Sequence, residues 1–389
     1  MVNFPRIIRR KMKFVKILVI SFLAVSSVFA SCNNEVYGVR GVWLTNVDSE
    51  VLNSNENIKE AVALLNELGF NTIFVVTWNK VMTTYPSEVI KNFTGVAIDP
   101  LYGNRDPLKE LIDEAHKYNI KVIAWFEFGF SSSYKLDGGY LLEKKPEWAS
   151  KDINGKLVTK NGFDWMNGFN PEVQDFLLSL IHEVVFNYDI DGIQGDDRLP
   201  AMPSEAGYDD YTVNLYKQAH NGKTPPNNSK NAEWLTFRSD ILSNFQIRLY
   251  ESVKEIKPTV IVSMAPSVFP WSKDEYLQDW PTWIENNTVD LLCPQVYRYD
   301  IDGYKSTLAE MLMYSEGYNS ELLAPGVLLN LGEYCASEEF LSEMIIENRK
   351  NGINGEVFFF FEGLKKHKDY LKSIYKDKII FPKMKQGSY

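Results

Sequence analysis

The sequence predicts an α/β protein, a single (β/α)8 TIM barrel with long βα loops after strands 3 and 4. From residue 38 onward, short runs rich in β-branched and aromatic residues alternate with amphipathic stretches. This alternation is typical of parallel strands connected by helices, and buried parallel strands are apolar along their whole length. Eight runs qualify as strands: 39–45, 71–78, 121–128, 192–196, 260–265, 289–297, 322–328 and 356–361.

The stretches between these runs have the periodicity of helices. In residues 172–187, six apolar residues recur at helical spacing and would form one buried face. Asp106 followed by Pro107 is a typical helix start, an N-cap before a proline in the first helical position. Helices are expected at 58–68, 107–118, 172–187, 234–256, 303–314 and 337–351.

A doubly wound open sheet is the alternative, but no G-x-G-x-x-G turn follows the first predicted strand. No linker or internal repeat divides residues 38–375, so we expect one domain, followed by a polar, frayed tail at 376–389. The segments 129–171 and 197–232 are rich in Gly, Ser, Pro, Asn and Tyr. In a barrel both segments emerge at the C-terminal face, where active sites are built.

Composition narrows the possible partners. A formal net charge of −10 argues against a nucleic-acid partner held by electrostatics. Aromatic residues make up 14% of the chain; most would fill the core, but those in an open cleft could stack on sugar rings. The sequence has no CxxC or HExxH pattern and four histidines, so neither a metal nor another cofactor is expected.

The N-terminus predicts export. Basic residues precede the apolar run 17–29, and Ala30 and Ser31 lead to Cys32, so residues 1–31 have the composition of a signal peptide. The last residues resemble a lipobox, and we expect lipidation of Cys32, with simple cleavage nearby as the alternative. The protein would then lie in the cell envelope, touching the membrane through this anchor. Cys293 and Cys335 remain in the mature chain; Cys293 fits a buried apolar position, and a disulfide between the two stays open.

The fourth predicted strand ends in a pair of carboxylates. If the large apolar Ile193 faces the helices, alternation along the strand sends Gln194 and Asp196 toward the barrel interior. Asp196 would then stand at the rim, with Asp197 in the following loop and Arg198 able to pair with either. Such a pair can be an ordinary solvated ion pair, but its place at the end of a barrel strand favours catalysis.

Glu127 is the second candidate acid. It ends the third predicted strand among Trp125, Phe126 and Phe128. An apolar environment disfavours the charged form, so we expect a raised pKa, which suits a general acid. The alternative is a structural carboxylate, hydrogen-bonded to backbone or to Arg198.

Further residues near the predicted strand ends could bind substrate. Asn46 and Asp48 follow the first strand and could bind sugar hydroxyls or cap a loop. Gln295 and Tyr297 share one side of the sixth strand, and Glu362 after the eighth is a weaker candidate. The substrate-binding set is completed by Trp78, Trp125 and Arg198.

Several ordered motifs carry a family resemblance: Gly41-Val42-Trp43-Leu44-Thr45-Asn46-Val47-Asp48, Leu68-Gly69-Phe70-Asn71-Thr72, Ala124-Trp125-Phe126, Asp191-Gly192-Ile193-Gln194, Asp196-Asp197 and Pro294-Gln295-Val296-Tyr297. Over residues 38–365 the chain resembles the glycosyl hydrolase-like 10 family. The resemblance implies a (β/α)8 barrel that acts on glycans, and a similar envelope lipoprotein cleaves peptidoglycan strands stripped of peptides. The family's paired Asp motif falls on Asp196 and Asp197. Two segments depart from the family pattern. Glu127-Phe128-Gly129 replaces the Asn-Pro-Tyr that many members have after Trp-Phe, and Trp78-Asn79-Lys80 replaces a common Arg-Pro segment.

The leading hypothesis is hydrolysis of glycosidic bonds in an envelope or environmental polysaccharide, with peptide-free peptidoglycan strands as one such substrate. Asp196 and Glu127 would carry the reaction and Asp197 would orient them or share the proton. The alternative is a non-catalytic carbohydrate-binding barrel of the cell envelope. A metal hydrolase is disfavoured by the few histidines.

Overall fold

The computed structural model describes residues 35–384; the predicted signal peptide, Cys32 and the last five residues lie outside this range. Within it, eight parallel strands form one sheet in the order β6-β5-β4-β3-β2-β1-β8-β7. Their bounds are β1 Arg40–Leu44, β2 Thr72–Val76, β3 Lys121–Trp125, β4 Gly192–Gly195, β5 Ile261–Met264, β6 Leu291–Leu292, β7 Gly326–Leu328 and β8 Glu356–Phe359.

The two edges of this sheet meet. Parallel bridges pair Leu292 with Leu323 and Gln295 with Gly326, at β6 and β7. The backbone N–H of Gly326 donates to the carbonyl of Pro294 at 2.8 Å. Because the edge strands are hydrogen-bonded to each other, the sheet closes, and the predicted TIM barrel is confirmed.

Helices follow the strands around the barrel. All six predicted helices are present, with ends shifted by a few residues. Most of the helices that were not predicted have one or two turns, too short to show a period. The ten-residue helix Asp210–Ala219 was also missed, since it lies in a segment expected to be a long loop. No helix of residues 35–384 is long and apolar enough to cross a membrane. The α-helices of this range are α1 Asn55–Glu67, α2 Glu88–Thr94, α3 Pro107–Ala115, α4 Gly139–Lys144, α5 Pro171–Asn187, α6 Asp210–Ala219, α7 Ala232–Ile256, α8 Trp271–Tyr276, α9 Trp280–Glu285, α10 Ile301–Tyr314, α11 Glu338–Lys350, α12 Phe361–Lys366 and α13 Lys368–Ile374.

A chain of buried polar groups crosses the barrel interior. The indole N–H of Trp43 donates to Gln194 Oε1 at 2.7 Å, and Gln194 Nε2 donates to Ser263 Oγ at 2.9 Å. These residues come from β1, β4 and β5, so Gln194 faces inward, as strand alternation predicts. Satisfying its amide matters because an unpaired polar group in the barrel core would cost about 1–3 kcal/mol.

The segments after β3 and β4 carry structure of their own. Between β3 and α5, the short strands Ser131–Tyr134, Phe163–Trp165 and Thr159–Lys160 form an antiparallel sheet, with α4 beside it. Between β4 and α7, the chain is held by Arg238, which is fully buried and donates from Nη1 to the carbonyl of Ser204 at 2.6 Å. Burial lowers the pKa of Arg238 to about 9.

Part of the C-terminal tail is ordered at the base of the barrel. Ile380 forms a parallel bridge with Tyr37, and the N–H of Gly38 donates to the carbonyl of Ile380 at 3.0 Å. The expected frayed end is therefore wrong for this stretch, because its backbone pairs with the chain just before β1. Cys293, which is buried, and Cys335 are both free thiols.

A buried carboxylate pairs with a half-buried arginine at the base of β8. Glu356 is fully buried and accepts hydrogen bonds from Arg349 Nη1 at 2.7 Å and Nη2 at 2.8 Å, and from the hydroxyl of Tyr375. Burial alone would raise the pKa of Glu356, but the charge and hydrogen bonds of Arg349 outweigh it, and the pKa is lowered. The carboxylate is therefore a stabilising element at neutral pH.

We predict that Glu356→Gln lowers the free energy of unfolding by about 2 kcal/mol at pH 7, because the half-buried Arg349 loses the charge of its partner and both of its charge-assisted hydrogen bonds are weakened. A lowered folded pKa gives stability that is complete above the ordinary Glu value of ~4.3 and is lost as the pH falls through the folded pKa. Urea unfolding of both proteins between pH 7 and pH 3 should show the difference shrinking toward acid. The exposed Glu60→Gln should change stability by less than ~0.5 kcal/mol. If Glu356→Gln lowered the free energy of unfolding equally at every pH, the proposed role of the Glu356 charge would be contradicted.

Candidate active site

The carboxyl ends of β3 and β4 bring three acids together. These strands are neighbours, with Trp125 paired to Gln194. Glu127 lies two residues beyond the end of β3, and Asp196 and Asp197 directly follow β4. All three therefore lie at the C-terminal face of the barrel, where TIM-barrel enzymes place their chemistry.

Arg198 contacts all three acids. Its Nη2 lies 3.0 Å from Asp196 Oδ2 and 3.4 Å from Glu127 Oε1, and its Nη1 lies 3.2 Å from Asp197 Oδ1. Its Nε also donates to the carbonyl of Glu127 at 2.7 Å. The guanidinium lies over the ring of Phe163, 4.7 Å from the centroid. Burial opposes the charge of Arg198, but the three carboxylates outweigh it and raise its pKa, so the cation is permanent.

Asp196 is the enclosed member of the group. Its side chain is 2% exposed, and its Oδ2 accepts from the indole N–H of Trp125 at 3.0 Å. Its Oδ1 accepts from the backbone N–H of Arg198 at 2.9 Å. Burial raises the pKa of Asp196 well above the ordinary value, against the effect of Arg198, and the negative charges of Asp197 and Glu127 add to the rise. Strand alternation thus predicts its inward direction correctly, but an inward side chain here lies beneath the rim.

Glu127 and Asp197 are the carboxylates that solvent reaches. Their side chains are 19% and 29% exposed. Asn79 Nδ2 donates to Glu127, and Gln295 Nε2 lies 3.4 Å from Asp197 Oδ1. Burial raises the pKa of Glu127, Asp197 adds to the rise, and Arg198 and Asn79 oppose it. The acids with exposed side chains are therefore Glu127 and Asp197, whereas the predicted catalytic pairing of Glu127 with Asp196 includes an enclosed carboxylate and stays a prediction.

Two tyrosines lie near Asp197. Tyr297 packs edge-on against Trp43, with ring centroids 6.4 Å apart. The ring centroids of Tyr297 and Phe359 are 5.6 Å apart. Burial raises the pKa of Tyr297 well above its usual value, and Asp197 and Asp196 raise it further. Burial, with Asp197 adding, raises the pKa of Tyr276 to about 12. Both phenols therefore stay neutral and can donate hydrogen bonds.

Two predicted substrate-binding tryptophans have other roles. Trp78 is fully buried, packs against Phe176 and donates its indole N–H to the carbonyl of Gly129 at 3.3 Å. Trp125 is buried and donates to Asp196. Neither ring offers a face to a sugar, because core side chains cover both; Trp125 instead holds a carboxylate in place.

Three other predicted binding residues lie apart from the acids. Asn46 is half-buried and lies beside Tyr102. Burial raises the pKa of Tyr102 to about 12, and the hydrogen bond with Asn46 acts against this rise. Asp48 is exposed, with φ of 58°. Glu362 accepts from Ser49 Oγ at 2.9 Å and pairs with Lys365 at 2.8 Å. In the described part of the chain, residues 35–384, none of the three is hydrogen-bonded or ion-paired to Arg198.

Sequence reasoning missed three residues that shape the site. Asn79 holds Glu127, Phe163 lies under Arg198, and Gln278 Nε2 donates to the carbonyl of Asp196 at 2.7 Å. Of these three residues, Asn79 is the one that the sequence could have indicated, because it lies in the segment Trp78-Asn79-Lys80, where the chain departs from the family pattern. No trio of His, Cys, Asp and Glu in residues 35–384 is arranged to hold a metal ion.

The loop after β3 packs directly on the loop after β4. Gly129 has φ of +48°, and a Cβ there would lie 2.1 Å from the carbonyl oxygen of Arg198. The N–H of Phe130 donates to that same oxygen at 3.1 Å. The absence of a side chain at Gly129 therefore lets the backbone of the Glu127 loop reach Arg198.

We predict that Gly129→Ala lowers the free energy of unfolding by roughly 2–3 kcal/mol, since it adds a backbone clash to an unfavourable φ. Gly155→Ala is the matched control: Gly155 also has positive φ, at +74°, but nothing lies within 4 Å of its added Cβ. That variant should lose only about 1 kcal/mol. If urea unfolding showed that Gly129→Ala and Gly155→Ala lose the same free energy of unfolding, the close contact of Gly129 with the Arg198 backbone would be refuted.

A TIM barrel with clustered carboxylates at its C-terminal face is the architecture of many glycoside hydrolases. The chain belongs to the Glycosyl hydrolase-like 10 family, whose model matches residues 38–325, and the predicted family is thereby confirmed. Glycosyl hydrolase YngK of Bacillus subtilis (strain 168) is 24% identical over 431 residues, covering 96% of this chain and 78% of the relative. Glycosyl hydrolase DigH of Escherichia coli (strain K12) is 26% identical over 317 residues, 68% of each chain.

Solved structures of glycoside hydrolases share the fold. The PgaB (BpsB) glycoside hydrolase domain from Bordetella bronchiseptica superposes with a TM-score of 0.65 at 12% identity, covering 89% of this chain and 100% of that domain. The catalytic domain of β-amylase from Paenibacillus polymyxa gives a TM-score of 0.62 at 11% identity, covering 88% of this chain and 100% of that one. At such identities the likeness concerns the fold alone.

Proposed function

We propose that this protein hydrolyses glycosidic bonds in a polysaccharide, with Glu127 and Asp197 as the carboxylates that reach the substrate. The observation that carries the proposal is the pair of accessible acids held by one cation, Arg198, whose side chain is only 13% exposed, at the C-terminal face of the barrel. Glycoside hydrolysis requires two carboxyl groups on either side of the scissile bond. Family membership and the glycoside hydrolase neighbours support the same reaction class.

Glu127 and Asp197 have different roles in the proposed reaction, because their surroundings differ. Burial raises the pKa of Glu127, which favours its protonated form and suits it to give a proton to the glycosidic oxygen as the bond breaks. Asp197 then either attacks the anomeric carbon or takes a proton from the attacking water. In both cases one water is consumed, and its hydrogen and hydroxyl end on the two new sugar ends.

Asp196 acts as a positioning residue. It is enclosed, and its carboxylate is held by Trp125 and by the backbone and side chain of Arg198. Its Oδ2 accepts a hydrogen bond from Arg198 Nη2 at 3.0 Å, which keeps Arg198 in place between Glu127 and Asp197. The neutral hydroxyl of Tyr297, close to Asp197, is suited to bind a sugar hydroxyl or ring oxygen.

The proposed substrate is a polysaccharide of the cell envelope or the environment. Peptide-free peptidoglycan strands are the first polymer to test, because the family resemblance implies them. The export signal and lipidation at Cys32 would place the protein in the envelope, touching the membrane through this anchor. The rival function is a carbohydrate-binding barrel without activity, favoured by the hydrogen bonds and ion pairs that already occupy the acids.

We predict that purified protein releases reducing ends from peptide-free peptidoglycan strands or from one of a panel of soluble polysaccharides. Glu127→Gln and Asp197→Asn should each lower kcat by about 10²–10⁴-fold, because each removes an acid or base that acts on the substrate. Asp196→Asn should cost less, roughly 10-fold, through displacement of Arg198.

The surface variant Asp113→Asn, on α3, should retain full activity. Undiminished release by Asp197→Asn would refute the assignment of the pair. Glycan binding without any release by the native protein would favour the binding barrel instead.

We also predict a pH shift for Asn79→Ala. The Asn79 amide donates to Glu127 and lowers the pKa of Glu127, so removing the amide raises that pKa. A general acid is lost as the pH rises through its pKa, so the alkaline limb of the kcat profile should move to higher pH by roughly one unit, equivalent to ~1.4 kcal/mol. Asn55→Ala, whose amide donates to the distant Glu110 at 3.3 Å, should leave the profile unchanged. A shift to lower pH in Asn79→Ala would contradict Glu127 as the acid.

A further inference from the structure

A hairpin in the segment after β3 reaches across to the helix after β5. Its strands are Thr159–Lys160 and Phe163–Trp165, which pair in antiparallel register. We call it the 159–165 hairpin. Asn161 and Gly162 form its two-residue loop, with φ of +54° and +82°. Asn-Gly is a strongly preferred sequence for a loop with two positive φ angles, so the tip of this hairpin is well defined and unstrained.

The tip is fixed on α8, the helix after β5. Asn161 Nδ2 donates to the hydroxyl of Tyr276 at 2.8 Å. Lys160 Nζ pairs with Glu275 at 2.8 Å and with Glu205, in the loop after β4, at 3.1 Å. It also lies 4.8 Å from the centroid of the Tyr276 ring. Because the Lys160 side chain is only 17% exposed, solvent and salt screen these contacts weakly.

The residue that follows the tip, Phe163, lies under Arg198. The centroid of its ring is 4.7 Å from Arg198 Cζ. Phe128 and Tyr134 pack edge-on with Phe163, at centroid distances of 5.5 and 5.0 Å. A cation above an aromatic face is attracted to it, and the ring also blocks movement of the guanidinium to that side. Phe163 is therefore held by two rings, and it in turn holds Arg198.

Arg198 needs this support because its contacts with the accessible acids are long. Its Nη2 lies 3.4 Å from Glu127 Oε1, and its Nη1 lies 3.2 Å from Asp197 Oδ1. Charge-assisted hydrogen bonds are usually about 2.7–2.9 Å long, and a displacement of roughly half an ångström would break either contact. The position of Arg198 therefore determines how its charge acts on both acids.

We propose that Phe163 is a positioning residue of the proposed reaction, and that the 159–165 hairpin clamps it against Arg198. The proposal rests on the proposed glycoside hydrolysis, because Arg198 acts on that reaction through the two accessible acids. The contacts of Lys160 and Asn161 keep the hairpin in place, and Phe163 then fixes the guanidinium between the acids.

Turnover of the cleaved polysaccharide tests the clamp. Phe163→Leu should lower kcat about 10-fold and change KM less than ~2-fold, because it frees Arg198 without removing a group that binds substrate. Phe163→Tyr keeps the ring and should retain at least about half of the native kcat. Lys160→Met and Asn161→Gly should each lower kcat about 3-fold. Glycine also adopts positive φ, so Asn161→Gly removes the amide without straining the turn.

A titration of Glu127 reports the position of Arg198 without requiring any activity. The charge of Arg198 lowers the pKa of Glu127, against the effect of burial. In Phe163→Leu the guanidinium is free to move away, so the pKa of Glu127 should rise by roughly half a unit or more. NMR of protein labelled at its glutamate carboxyl carbons measures this pKa, and the signal missing from Glu127→Gln identifies the residue. A purely structural defect would lower the melting temperature and leave the titration of Glu127 unchanged.

Two variants outside the clamp serve as matched controls. Phe381→Leu removes another half-buried ring beneath a cation, Lys121, whose Nζ lies 5.1 Å from the ring centroid at the base of the barrel. Lys156→Met removes an exposed lysine from the same segment after β3, just before the hairpin. Both variants should keep the native kcat and the native titration of Glu127.

Three results would overturn the clamp. The first is a titration of Glu127 in Phe163→Leu that matches that of the native protein. The second is a Phe163→Tyr variant as impaired as Phe163→Leu. The third is native turnover and native titration in both Lys160→Met and Asn161→Gly, which would show that the tip contacts do not hold the hairpin.

The clamp and the hydrolytic function can fail separately. If the titration of Glu127 shifts as expected but no polysaccharide yields reducing ends, the hydrolytic function fails and the clamp stands. If hydrolysis depends on Glu127 and Asp197 but Phe163→Leu changes neither kcat nor the titration, the clamp alone is wrong.

Discussion

The site depends on one largely buried cation, Arg198, which contacts three acids. Burying a charge is costly unless it is paired, and three acids at close range would repel one another without a cation. Arg198 meets both requirements with its two terminal nitrogens and a hydrogen bond from Nε to the backbone of Glu127. The loops after β3 and β4 are thereby joined, and the close approach at Gly129 makes that junction possible.

Much of the barrel is predictable because its signals are local. Buried parallel strands are apolar along their length, and the side-chain period of two is a property of each strand. That period places Gln194 in the barrel interior, where it is hydrogen-bonded to Trp43 and Ser263. The same period predicts that the side chain of Asp196 also points inward. The gathering of Glu127 with Asp196 follows from the rule that neighbouring parallel strands end at one edge.

The rest of the site depends on contacts between distant parts of the chain. Alternation shows that Asp196 points inward but not that Trp125 and Arg198 cover it while Asp197 stays open. Gln278, which holds the carbonyl of Asp196, is 82 residues away in sequence. Its position after β2 predicts that Trp78 lies in the cleft, yet Gly129 in the loop after β3 accepts a hydrogen bond from its indole N–H and Phe176 of α5 packs against its ring.

The hairpin after β2 connects a tight turn to the group of acids. Asn79 donates to Glu127 and lowers its pKa, against the effect of burial. Trp78 pairs with Thr83 and Asn79 with Met82, so Lys80 and Val81 form a two-residue loop, with φ angles of +49° and +67°. A change in this turn would also move Asn79, because a two-residue loop has no spare length to absorb it. The pKa of Glu127 therefore depends on the geometry of this hairpin as well as on burial and on Arg198.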